Sequence, residues 1–196
     1  MTERRTPRRS NTPLDVRDMY ATDLPDLDSR CGRNFSFRDI IECGETWETE
    51  RIENTPIQPK TYDAIRALCK EVLDPVFAEF GEVNLTYGFA SGALTRKIDG
   101  RISPNLDQHA GYELNSRGNP ICDRLGMAAD FTVPGNSSRE LAHWVYENCN
   151  FDRIYFYEDD RPIHVSVGPD NSKQLVHMKM GPSGKRVPGV RAEGRM

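Results

Sequence analysis

From Thr61 to Phe80 the apolar residues Ile65, Leu68, Val72, Leu73, Val76, Phe77 and Phe80 recur at steps of three and four. That is the stripe of an amphipathic helix. Gly81 ends it, and Pro75 inside it predicts a kink or a split, because proline removes a backbone donor and crowds the preceding turn. A second helix is announced by Ser137 with Glu140 three residues on, a capping box, followed by Leu141, Trp144 and Val145. Short runs of strand character occupy Val83–Tyr87, Ala128–Val133, Arg153–Glu158, Pro162–Val167 and Gln174–Met180. The pattern predicts a single small α+β domain, an antiparallel sheet late in the chain flanked by helices.

Within Ile163-His164-Val165-Ser166-Val167 the branched apolar residues alternate with His164 and Ser166, so the histidine is expected on the face away from the core. The same period sets Asp130 with Ala128 and Thr132, opposite Ala129, Phe131 and Val133. Two metal-capable side chains thus fall on the less apolar faces of two strands. Residues 1–34, rich in Arg, Asp, Pro and Thr without periodicity, are expected to form an extended N-terminal arm. Residues 35–180 make the domain, and 181–196, with Gly, Pro and basic residues, read as a loose basic tail.

A chain of 196 residues with 37% hydrophobic content buries one core. Its formal charge of -4 carries no overall polyanion-binding signature. Both ends are locally basic: Arg4, Arg5, Arg8 and Arg9 against Glu3 leave +3, and Lys185, Arg186, Arg191 and Arg195 against Glu193 leave +3. Those ends are the candidate contacts for a protein complex or nucleic acid. The N-terminus lacks the apolar run of a secretory signal and no stretch approaches a membrane span, so the expectation is a cytoplasmic start and no membrane partner. Five cysteines, Cys31, Cys43, Cys69, Cys122 and Cys149, contain no CxxC pair and read as reduced thiols, mostly in the core. Neither GxxxxGK[ST] nor GxGxxG occurs, which counts against nucleotide hydrolysis of the usual kinds.

A catalytic zinc site needs three protein ligands, an open position for water and a nearby carboxylate to take the water's proton. With four histidines in the chain, candidates are few. His164 and Asp130 have the strand context of ligands, and Glu158, across a turn of Asp159-Asp160-Arg161, that of the base. His143, beside Trp144 in the second helix, and His177, on the last strand, read as structural. Tyr155, Phe156 and Tyr157 form an aromatic run that a small sheet needs for packing.

Five blocks, in order, resemble the D-Ala-D-Ala carboxypeptidase/hedgehog superfamily of zinc peptidases over roughly two thirds of the chain. Phe35-Ser36-Phe37-Arg38-Asp39 leads to Glu53-Asn54-Thr55-Pro56, and a helix ends in Val72-Leu73-Asp74-Pro75-Val76. Thr86-Tyr87-Gly88-Phe89-Ala90-Ser91 stands where the family has Thr-Ser-Gly-Tyr-Arg-Ser. Gly126-Met127-Ala128-Ala129-Asp130 is similar to its Gly-x-Ala-x-Asp motif, and Tyr157-Glu158 with Ile163-His164-Val165-Ser166-Val167 to its closing pair. The resemblance implies a hedgehog/DD-peptidase-like fold, zinc as cofactor, Asp130 and His164 as ligands and Glu158 as general base.

Two departures shape the expectation. Where the family carries its first histidine ligand, this chain has Asp123. His109, in Asp107-Gln108-His109-Ala110-Gly111, looks like the family's histidine loop with residues 112–122 inserted behind it. His109 is the favoured third ligand, with Asp123 or Cys122 as alternatives. The family's carboxylate-gripping arginine is Ala90 here, so Arg96 or Arg124 is the candidate for substrate binding. The implied activity is a zinc-dependent amide hydrolase acting on a cell-wall-type peptide or a non-wall intracellular substrate, released from the cytosol by lysis if phage-type. The competing expectation is a non-catalytic binding or assembly module on the same fold, since a fold alone does not establish chemistry.

Overall fold

The computed structural model describes residues 24–98, 103–184 and 186–192. The elements are α1 (Phe37–Ile41), α2 (Glu45–Glu50), α3 (Pro59–Leu68), a π turn (Cys69–Leu73), α4 (Asp74–Phe80), β1 (Asn84–Tyr87), α5 (Gly92–Thr95), β2 (Met127–Thr132), α6 (Ser138–Asn148), β3 (Arg153–Phe156), β4 (Ile163–Val167), β5 (Gln174–Met180) and β6 (Arg186–Ala192). Two single-turn 3₁₀ segments, Pro104–Leu106 and Gln108–Ala110, lie between α5 and β2. Among the described residues no helix is long and apolar enough to cross a membrane.

The domain is α+β. Its six strands lie in the order β1-β2-β4-β3-β5-β6. The sheet is mixed, not wholly antiparallel as expected: β3 and β5 run parallel. The reason is positional. β3 and β4 form a hairpin, so the slot beside β4 that a meander would give to β5 is already taken by β3. Residues 168–173 therefore pass under the start of β3 and deliver β5 to its far side. Buried Asp152 organises that crossing: its Oδ1 accepts from Ser172 N–H at 2.8 Å and its carbonyl accepts from Gln174 N–H at 3.0 Å.

The two longest helices pack on one face of the sheet. α3 packs across β2 and β4, and α6 packs on β3 and β4. The predicted stripe is the buried one, with Ile65, Leu68, Val72, Leu73 and Val76 solvent-free against Ala129, Phe131, Ile154 and Val165. Each such side chain contributes roughly 1.5–3 kcal/mol by leaving water. Pro75 leaves its mark as the π turn before it: Asp74 N–H bonds to Cys69 O, five residues back. Ser137 caps α6 with its hydroxyl on Glu140 N–H, and the Glu140 carboxylate returns the bond to Ser137 N–H.

Two sequence expectations are corrected at the ends of the domain. Order begins before Phe35: Leu24 and Leu27 pack on the core, and residues 31–34 fold against the Asp74 carboxylate. Arg186–Ala192, read as loose tail, pairs antiparallel with β5 as an edge strand, where Pro188 is tolerated because an edge residue need not donate. The basic residues Arg4, Arg5, Arg8, Arg9, Lys185 and Arg195 lie outside the described residues.

Candidate metal centre

Strand register builds most of the site. Tyr87, Asp130, His164, Tyr155 and Val176 are successive Cα partners across β1, β2, β4, β3 and β5, a single row running at right angles to the strands. Asp130 and His164 therefore face the same way side by side. Gly126, just before β2, has φ +92°, and a Cβ there would sit 1.9 Å from Val167 O, so only glycine allows this approach to the end of β4. All five β4 residues are buried, because the helices cover one face and the segment carrying His109 covers the other.

His109 sits on the second 3₁₀ turn and is held on three sides. Asp107 Oδ1 accepts its N–H at 3.1 Å, its carbonyl accepts Ala90 N–H at 2.9 Å, and its Nδ1 lies 2.7 Å from the Gly88 carbonyl. A carbonyl only accepts, so Nδ1 carries the hydrogen and Nε2 presents its lone pair to the row. Buried Asn54 secures the chain that supplies Gly88 and Ala90. Its amide donates to Ile41 O and Phe89 O, and its Oδ1 accepts Ser91 N–H. Behind His109, Gln108 donates to Leu125 O and Asp152 Oδ2 and accepts from the Ser166 hydroxyl.

The three side chains converge. His109 Nε2 is 3.2 Å from Asp130 Oδ1, His164 Nδ1 is 2.8 Å from the same oxygen, and the two ring nitrogens are 3.1 Å apart. Both histidines are buried and Asp130 is partly exposed. A point about 2.1 Å from all three atoms lies roughly 1 Å off their plane, the separation that zinc–nitrogen and zinc–oxygen bonds require. When the His109 ring is neutral it has no hydrogen left for either neighbour, and a cation at that point would take the lone pairs of the three facing atoms together. This buried His-Asp-His group can hold a metal ion.

Electrostatics favour the ligand state of the carboxylate. Burial opposes ionisation of Asp130, but His109 and His164 outweigh it and hold the carboxyl far below its ordinary range. For His109, burial pulls the ring down while the Asp130 charge and hydrogen bond raise it further, leaving it above its ordinary value. Tyr87 packs on the His109 ring at 4.1 Å and Tyr155 stacks on His164 at 5.0 Å. A cleft of about 270 Å³ opens beside Asp130, walled by Trp47, Tyr87, Leu94 and Ile98. A larger cavity of about 470 Å³, lined by Ala64, Tyr112 and Phe151 among others, contains none of the three ligand candidates.

The other sequence candidates are placed elsewhere. Asp123 is exposed, and Cys122 is buried with its thiol pushed up by that burial; neither belongs to the converging group. The chain between them and His109 makes a hairpin-like excursion with a Leu114–Pro120 bridge. Glu158 lies beyond β3 with its side chain 57% exposed, 3.6 Å from Arg186 Nη2, and is not part of the group either. Arg124 donates to the Tyr155 hydroxyl at 2.7 Å and so adjoins the site through the ring stacked on His164, whereas Arg96 is exposed at the end of α5. His143 is on the surface, 3.5 Å from Glu147, and His177 packs near Phe156. Sequence reasoning missed Gln108, Ser166, Asp152 and Asn54. Ser166 carried a signal, two residues from His164 on the same face, and Gln108 another, adjacent to His109.

No protein-family model, curated protein or solved structure matches this chain.

Proposed function

We propose that the chain is a zinc-dependent amide hydrolase of the D-Ala-D-Ala carboxypeptidase/hedgehog type, cleaving a peptide or related amide of cell-wall type or an intracellular substrate. The observation that carries the reading is the convergence of His109 Nε2, Asp130 Oδ1 and His164 Nδ1, with Gly88 fixing the His109 tautomer. Two histidines and a carboxylate are a donor set that hydrolytic zinc sites use. Zinc in this position supplies a Lewis acid and lowers the pKa of a bound water. His109, His164 and Asp130 would hold the ion, and Tyr87 and Tyr155 pack against the two rings. The substrate lies along the cleft beside Asp130, against Trp47 and Tyr87. Glu158, held 3.6 Å from Arg186 Nη2, is the residue that would serve as general base.

One observation favours a second reading, a metal-binding assembly module without turnover: the exposed Glu158 is paired with Arg186 rather than gathered beside the three ligands. Metal content by elemental mass spectrometry on untagged protein, for wild type, His109→Ala and His164→Ala, tests the site. Near one zinc per chain, lost in both variants, is expected; absence of metal after zinc is offered refutes both readings. Peptide and amide turnover by the zinc-loaded wild type, abolished in Glu158→Gln with zinc retained, supports the hydrolase. Zinc binding without turnover on any amide offered supports the module.

A further inference from the structure

Away from the metal centre, two buried thiols meet. Cys31 Sγ and Cys69 Sγ lie 3.2 Å apart, from residues 38 positions apart in the chain. Cys31 belongs to the segment before α1, and Cys69 opens the π turn of the long helix. The π turn explains the meeting. Its five-residue step sets Cys69 and Asp74 on one face of the helix, and both press on Gly32, where a Cβ would sit 2.8 Å from Cys69 Cβ and 2.7 Å from Asp74 Oδ2. The Asp74 carboxylate accepts Arg33 N–H at 2.7 Å and Asn34 N–H at 3.0 Å, while Cys31 N–H and Gly32 N–H both reach Phe35 O. The five residues Cys31–Phe35 thus form a tight loop whose thiol meets that of Cys69 on the helix.

We infer that Cys31 and Cys69 are a disulfide-forming pair, which staples the segment before α1 to the long helix when the protein meets an oxidising disulfide. The pairing is selective because of position: among the free cysteines, Cys31 and Cys69 are the two with sulfur-to-sulfur contact among the described residues. The reaction is thiol–disulfide exchange with a small-molecule disulfide such as oxidised glutathione. One protein thiolate attacks the reagent, forming a mixed disulfide and releasing one glutathione thiolate. The second protein sulfur then displaces the other glutathione, and the two thiol protons end on the two released thiols. The hydrogen bond with the Cys31 sulfur and burial raise the Cys69 thiol, which makes Cys69 a slow nucleophile in neutral solution. Cys31, 7% exposed, is the sulfur that reaches solvent first. The inference is independent of the hydrolase reading.

The experiment treats the folded full-length protein with oxidised glutathione and reads intact mass, non-reducing peptide maps and thermal melting. A loss of about 2 Da without a glutathione adduct is expected, together with a peptide joining Cys31 to Cys69. Closing a loop of this length should raise Tm by about 10 °C, reversed by dithiothreitol. Cys31→Ser and Cys69→Ser should lose both effects, and Cys122→Ser should keep them. Five free thiols after treatment, a stable glutathione adduct on either cysteine, or a crosslink between another pair overturns the inference; because the map is read on wild type, poor folding of a variant does not blur it.

Discussion

Gln108 hands its side-chain amide to the carboxylate of Asp152, Nε2 to Oδ2 at 3.0 Å, so the turn that carries His109 is tied to the start of β3. The same amide group also holds Leu125 O and receives the Ser166 hydroxyl, which makes it a peg between the covering segment and two strands. Gln108→Leu leaves several buried polar atoms without partners. Zinc affinity is expected to fall about 10- to 100-fold, as for loss of a group that supports a ligand. Stability should fall by about 2–3 kcal/mol. Zinc titration with a chelating competitor and urea unfolding measure the two. Unchanged affinity would mean that Gly88 and Asp107 alone aim the ring.

Asp152 has a second dependent. Arg153 Nη1 bonds to its Oδ2, and both side chains are nearly solvent-free. Asp152→Ala strands a buried guanidinium and releases the crossing at residues 168–173, with an expected loss of about 3–5 kcal/mol in denaturant unfolding. A loss below about 1 kcal/mol would show that Asp170, 3.7 Å from Arg153 Nη2, replaces it.

At Gly88 a Cβ would stand 2.1 Å from Ile40 O and 3.0 Å from Cys43 Sγ. Gly88→Ala therefore has to displace the backbone whose carbonyl orients His109. Both a drop in Tm and weaker zinc binding are expected, whereas a purely packing role would lower Tm and leave the affinity of the folded fraction intact.

Glu113 sets a pH dependence of its own. Its carboxylate accepts from Ile57 N–H, Gln58 N–H and the Thr61 hydroxyl at the start of α3. Burial outweighs these bonds and raises its pKa above the ordinary 4.5. A carboxyl raised on folding binds more protons in the native state, so its contribution is complete below 4.5 and is lost as pH climbs through the raised value. Glu113→Gln keeps an acceptor on the same donors and removes the titration. Its stability should be flatter than wild type from 4.5 upward, with the curves closest at the acid end; parallel curves in urea unfolding against pH would discard the assignment.

Metal should stabilise the fold as well as fill the site. Zinc at about a hundred times its Kd adds about 2.7 kcal/mol, a Tm rise of roughly 5–10 °C for a domain of this size. His164→Ala should abolish the rise, and a chelator should reverse it in wild type. Equal melting with and without zinc argues against a native-state site.

The parts of the molecule written in local periodicity were readable from the chain. The stripe through Val76, the cap at Ser137, and the shared orientation of Asp130 and His164 all depend on spacings of two, three or four residues, and the structure has them. The chain does not encode in that way which strands become neighbours. The parallel β3/β5 pair follows from a slot already filled. β6 carries no alternating apolar pattern because an edge strand with Pro188 and Gly189 needs none. α1 is only five residues long, too short for a period to show. Glu158 was placed on a strand by its aromatic predecessors, but β3 ends at Phe156, which frees its side chain to meet Arg186. Gln108 meets Asp152 44 residues away, a contact that exists only after the sheet has formed.

The row from Tyr87 through Asp130 and His164 to Tyr155 makes the centre a gauge of strand alignment. Because side chains alternate between faces, sliding β4 by one residue against β2 turns His164 toward the helices and brings Ile163 or Val165 in its place. A sheet slipped in this way loses the His164 donor and leaves His109 and Asp130 alone. If the group holds an ion, its affinity in a variant altered far from the row would therefore report on the alignment of β2 with β4.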